Sequence, residues 1–130
     1  MGGYTFRKDE RLNSEILIKE LFSRGSSFHL YPFRVVYKAI PALKELPTQV
    51  LFTVPSRRFK KAVDRNKIKR RSREAYRLHK AGLTPVVPLM IAFVYSAKEI
   101  ESFELIQATT IRIIEKLNGA GESPAISKYR

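Results

Sequence analysis

The sequence predicts an α+β fold, a single-domain α-β-β-β-α-β-α sandwich with a four-stranded sheet. Three observations carry that reading. Apolar residues recur at helical spacing near both ends of the chain, runs rich in aromatic and β-branched residues lie between, and LMIAFVYSA at 89–97 is apolar on both alternations. At 130 residues the chain has the length of one domain, long enough to bury a core.

The elements follow in order. After a polar lead-in, Asn13 or Ser14 can cap a first helix that carries Ile16, Leu17, Leu21 and Phe22 and ends near Gly25. SSFHLYPFRVVYKAI then reads as a short strand, a turn at Pro32 and a longer strand. The segment PALKELPTQ, with two prolines, is expected to be the loop of a hairpin leading into QVLFTV at 49–54. A helix begins between Lys61 and Asp64, runs to about Lys80 and is stopped by Gly82, with Pro85 and Pro88 beyond. The doubly apolar 89–97 segment is expected to be a central strand covered on both faces. A last helix from about Ile100 to Leu117 places Phe103, Ile106, Ile111, Ile113, Ile114 and Leu117 along one stripe. Residues 1–118 are expected to form the domain, 1–8 being a flexible lead-in, and 119–130 a disordered tail.

Composition narrows the function classes. Without cysteine there is no disulfide framework and no zinc finger, and two histidines make a dedicated metal site improbable. The polar N-terminus is no signal peptide, Phe6 breaks a myristoylation pattern, and no run approaches a membrane span. A cytoplasmic protein without membrane or small-molecule partners is expected. The 25 Lys and Arg against 12 acidic residues give a net charge of +13, which points to a polyanionic partner.

The excess is local. From Arg57 to Lys80 there are twelve basic residues and two acids, which is +10 of the +13. Taking about 100° per residue, Ile68, Ser72, Ala75 and His79 share one narrow stripe, with Leu78 at its margin. Asn66, Lys69, Arg70, Arg73 and Arg77, with Arg65 beside them, form the opposite face. A solvated helix face usually interleaves acids with bases, because like charges at i,i+4 repel by a few tenths of a kcal/mol. Here only Asp64 and Glu74 offset the cations, Glu74 being the expected partner of Arg70, so nucleic acid is the favoured partner. Arginine suits bidentate phosphate and base-edge contacts, and Asn66 adds a neutral donor and acceptor able to read a base or a 2′-hydroxyl.

Arg65-Asn66, Lys69-Arg70 and Arg73-Glu74 resemble the RN-x-x-KR-x-x-RE signature of the protein subunit of bacterial ribonuclease P. The flanking FRKDERLNS, IKELFSRGSSF, PFRVVY and LFTVPSRRFKKAVDRN resemble that family too, over roughly residues 6–117. The resemblance implies a protein cofactor for a catalytic RNA that removes the 5′ leader of precursor transfer RNA by Mg²⁺-dependent hydrolysis, the metal being bound mainly by RNA and substrate. It also implies a left-handed βαβ crossover, of the kind in the second domain of a small-subunit ribosomal protein, where the general rule is right-handed. It assigns the catalytic RNA to Arg65, Asn66, Lys69, Arg70 and Arg73; Lys67, Arg77, Arg57, Arg58, Lys60 and Lys61 are further candidate RNA contacts. Two positions depart from the pattern. Lys67 keeps the charge but not the fork of the usual arginine, and Ser56 stands where a lysine is common. The single-stranded leader is expected in a cleft along the sheet, stacked on Phe22 and Tyr37.

Two rival readings stand beside this one. His29 and His79 could be imagined as an acid–base pair of a nuclease, but His79 lies on the inward stripe and no third group orients either ring. A non-enzymic RNA-binding module such as a ribosomal protein shares the charge and the basic helix; only the spaced motif argues against it. A helix-turn-helix is disfavoured by the β-type segments that flank the basic helix.

Overall fold

The computed structural model describes residues 10–40, 47–85 and 87–119; the expected lead-in and the tail beyond Gly119 lie outside them. The element order is α1 (Glu15–Arg24), β1 (Ser26–Leu30), β2 (Phe33–Ala39), β3 (Gln49–Thr53), α2 (Ala62–His79), β4 (Leu89–Tyr95) and α3 (Phe103–Asn118), with one 3₁₀ turn at Lys80–Gly82 after α2.

Of the two candidate caps, Ser14 takes the role, its side chain accepting from the Leu17 N–H at 3.4 Å. Ser102 caps α3 in the same way through the Leu105 N–H. β1 and β2 form an antiparallel hairpin around Tyr31-Pro32, a cis peptide.

The sheet order β1-β2-β4-β3 corrects one expectation. β2 and β3 do not form a hairpin: β4 lies between them, antiparallel to β2 and parallel to β3. The connecting residues 41–46 lie outside the described residues. Local turn signals favour pairing of sequence neighbours, but the doubly apolar β4 is the strand that gains most from a central, two-sided position. Its burial is nearly complete.

Strand alternation divides the core into two. On one face Phe33, Val35, Val50, Phe52, Ile91, Phe93 and Tyr95 meet Ile68, Ala75 and Tyr76 of α2 and Ile106, Ile113, Ile114 and Leu117 of α3. On the other, Val36, Met90 and Ala92 meet Leu12, Leu17 and Leu21 from α1 and its approach. Ile111, expected on the α3 stripe, is 37% exposed, whereas Thr109 and Thr110 are buried. Five residues from Ile106 turn the helix by about 500°, which carries Ile111 off the inner face. Thr110 is buried at little cost because its hydroxyl donates to the Ile106 carbonyl at 2.8 Å.

The hand of the β3-α2-β4 crossover follows from residue chirality. Viewed from the α2–α3 side with β3 running upward, an L-residue whose side chain points at the viewer holds its carbonyl to the right. Val50 is such a residue, and its carbonyl accepts from the Leu12 N–H at 2.9 Å on the outer edge of the sheet. β4 therefore lies to the left. A chain that rises through β3, descends through α2 on the near face and rises again through β4 makes a left-handed crossover, against the usual preference.

Candidate nucleic-acid interface

α2 docks on the sheet through Ile68, Ser72, Ala75 and Tyr76. The inward stripe is as expected, except that Tyr76 joins it and His79 sits at its edge, half-buried and hydrogen-bonded to Gln107 of α3 at 2.8 Å. Ser72 is admitted to the core because its hydroxyl donates to the Ile68 carbonyl. Burial of Tyr76 pushes its phenol pKa up, so it stays neutral.

With that face fixed, Asn66, Arg70 and Arg73 project into solvent, while Lys67 and Lys69 are half-buried along the flanks. None of these five makes a side-chain hydrogen bond or ion pair among the described residues. They are poised for an external partner.

Three other candidates have internal partners. Arg65 lies only about 60° from Ile68 around the helix, and its guanidinium turns back to the carbonyls of Phe59 (2.7 Å) and Lys60 (2.9 Å). Arg77 donates twice to Glu74, at 3.1 and 2.7 Å. Glu74 thus pairs at i,i+3 with Arg77 and leaves the expected partner Arg70 open. The hydrogen bond from Arg77 holds the Glu74 carboxyl below its usual range and raises the Arg77 guanidinium in return. Arg58 reaches the Ser96 carbonyl at 3.1 Å.

The loop before α2 is built to present charge. The Pro55 carbonyl accepts from the N–H groups of Arg58 and Phe59. Phe59 is buried edge-on against Tyr95, with ring centroids 5.8 Å apart. Phe59 inside and Arg65 across the carbonyls fix a short segment from which Arg57, Arg58, Lys60 and Lys61 stand exposed. They adjoin the N-terminus of α2, whose unpaired amides add partial positive charge.

The two aromatic candidates do not meet. Phe22 on α1 is 43% exposed, which settles it as a surface side chain. Tyr37 lies on the opposite side of the sheet, half-buried against the α2–α3 core with its ring centroid 5.9 Å from that of Phe28. Phe22 and Tyr37 therefore cannot line one cleft. A step of one residue along a strand changes its face, and on β2 it is Arg34, Val36 and Lys38 that share the α1 side. Arg34 is exposed there, a cation whose side of the sheet is set by the alternation of FRVVYK.

Among the described residues no three His, Cys, Asp or Glu side chains are grouped to hold a metal ion. The acids of the basic segment are Asp64 and Glu74, nearly three helical turns apart with Glu74 engaged, so this donor set does not fit a resident magnesium ion. No helix among the described residues is long and apolar enough to cross a membrane.

Comparisons with known proteins converge. The Ribonuclease P family profile matches residues 6–118. The chain is 33% identical to the ribonuclease P protein component of Porphyromonas gingivalis over 124 residues, covering 92% of this chain and 90% of that one. It is 34% identical to the corresponding protein of Chlorobaculum tepidum, over 77% and 74% of the two chains. In fold it is similar to the ribonuclease P protein of Staphylococcus aureus (TM-score 0.67, 21% identity, 83% of this chain and 96% of that one). The Thermotoga maritima protein is comparable (TM-score 0.66, 22% identity, 82% and 96%).

Proposed function

The chain belongs to the ribonuclease P protein family, and on that premise we propose that it is the protein subunit of a ribonucleoprotein that trims the 5′ leader of precursor transfer RNA. The RNA subunit carries the chemistry and, with the substrate, the Mg²⁺. The observation that supports this most is the outward face of α2. Asn66, Arg70 and Arg73 are exposed and, among the described residues, without side-chain partners, in helical phase, on an element whose other face is locked into the core.

That face, extended by Lys67, Lys69 and the exposed loop cations Arg57, Lys60 and Lys61, binds the catalytic RNA. Rigidity matters here: a cation carried on a docked helix gives up little backbone entropy when it meets a phosphate. The leader lies on the other side of the sheet, beside exposed Phe22 and Arg34, where an aromatic face and a cation serve an unpaired strand without demanding its sequence. With one polyanion on each side, the protein lowers the repulsion between RNA subunit and substrate, and so the divalent ion concentration at which they associate. The site of action is the cytoplasm.

The test is cleavage of a precursor transfer RNA at low Mg²⁺ by the protein alone, by a bacterial ribonuclease P RNA alone, and by both. Cleavage only, or far faster, with both is expected. Activity from the protein alone overturns the assignment of chemistry to RNA, and failure to stimulate the RNA returns the chain to the class of non-enzymic RNA-binding modules.

A further inference from the structure

At the end of the sheet where the β1–β2 turn meets the exit of β4, a cavity of about 470 Å³ is lined by Tyr31, Arg58, Ser96, Ala97, Lys98 and Glu99. No residue of the α2 motif lines it, yet Arg58 makes it continuous with the basic loop before that helix. We propose that this cavity is a pocket for one unpaired nucleotide of RNA, and that it prefers guanine. The proposal rests on the reading of α2 and its loop as an RNA surface.

The components match that ligand. Tyr31 is 51% exposed, and its hydroxyl donates to the Glu101 carboxylate. That bond fixes the ring from its edge and leaves the ring available for stacking, the sequence-tolerant part of single-strand binding. Arg58 is braced by the Ser96 carbonyl at 3.1 Å and, with exposed Lys98, supplies positive charge for the phosphate. Glu99 is exposed, and its own carbonyl accepts from the buried Tyr95 hydroxyl at 2.6 Å, which anchors the backbone at that point.

A carboxylate beside a stacking ring selects among bases by the donors on their pairing edges. Guanine offers two adjacent N–H donors to the two oxygens. Adenine and cytosine each offer one donor beside an acceptor, and uracil flanks its single donor with two carbonyls that repel the carboxylate. A bare phosphate site would have no use for Glu99 or for an exposed tyrosine.

The experiment titrates the intact protein with labelled oligouridine pentamers bearing G, A, C or U at the centre, read by fluorescence anisotropy. The G pentamer is expected to bind tightest. Tyr31→Ala should weaken it about 5- to 150-fold, Tyr31→Phe, which keeps the stacking face and loses only the bond that fixes it, should weaken it far less, and Glu99→Gln should remove the preference for G. Equal binding of the four pentamers, or indifference to Tyr31→Ala while Arg70→Ala still weakens all of them, overturns the pocket and spares the α2 surface. If Arg70→Ala also changes nothing, the RNA surface fails with it. Repeating the Tyr31→Ala comparison in the holoenzyme, with leadered and leaderless precursors, assigns the nucleotide's source. A defect that needs the leader places it in the substrate; one that persists without the leader places it in the RNA subunit.

Discussion

Arg65 and Arg70 are five positions apart on one helix and have opposite roles. Arg70 makes no side-chain hydrogen bond or ion pair among the described residues, so Arg70→Ala, like Arg73→Ala, should leave the circular dichroism spectrum and melting temperature unchanged. Affinity for the ribonuclease P RNA should fall by about 10- to 100-fold, the scale of a charge-assisted hydrogen bond, in a filter-binding titration. Arg65 holds two loop carbonyls, so Arg65→Ala should instead lower stability by about 1–3 kcal/mol, read as a melting point several degrees lower. Gly25 gives a third prediction. Its φ of −76° is open to any residue, but a Cβ there would stand 2.4 Å from the Leu21 carbonyl oxygen and 3.0 Å from that of Tyr37. Gly25→Ala should therefore cost about 1–3 kcal/mol in a urea titration, from crowding alone.

At the scale of elements, α2 is a charged helix that keeps one internal ion pair. Glu74→Gln removes the carboxylate charge from beside Arg77, so RNA affinity should rise at neutral pH and the log–log salt slope should steepen by under one unit. The pH sign follows from the Glu74 carboxyl lying below its ordinary pKa. Its pairing is fully present above the ordinary carboxylate pKa and is lost as pH falls through the depressed value. The wild type should gain RNA affinity across that acid range, and Glu74→Gln should not. The inner stripe of α2 was legible in the sequence because Ile68, Ser72 and Ala75 stand alone among charges. The direction of Arg65 follows the same phase, since its Cα stands about 60° from Ile68, nearer the inner stripe than the outward face; what helix phase does not give is its partners, the loop carbonyls of Phe59 and Lys60. Tyr37 shows the same limit for strands: aromatic character marks a surface for stacking, but the two-residue alternation decides which surface. β4 was legible as a central strand from its apolarity, whereas its neighbours were not, because pairing across roughly forty to sixty residues leaves no local trace.

For the whole molecule the governing quantity is charge. Affinity for the RNA subunit should fall linearly with salt on log–log axes with a slope of several units, at about 0.7–0.9 per phosphate neutralised, and a flat profile would sink the polyanion reading. The sheet separates this charge from the second face, with α2 and α3 on one side and α1 on the other. In the proposed function the RNA subunit and the leader thus use different side chains. The position of β4 has a further consequence in time. A ribosome delivers β2, β3 and the whole of α2 before it delivers residues 89–95, the strand on which both β2 and β3 pair. At about 5–20 residues per second, the emerging chain spends seconds with its most cationic segment outside the tunnel and no completed sheet to dock it on. The arginine face is therefore a surface of the finished protein only, and any RNA that captures it on the nascent chain meets an unanchored basic peptide.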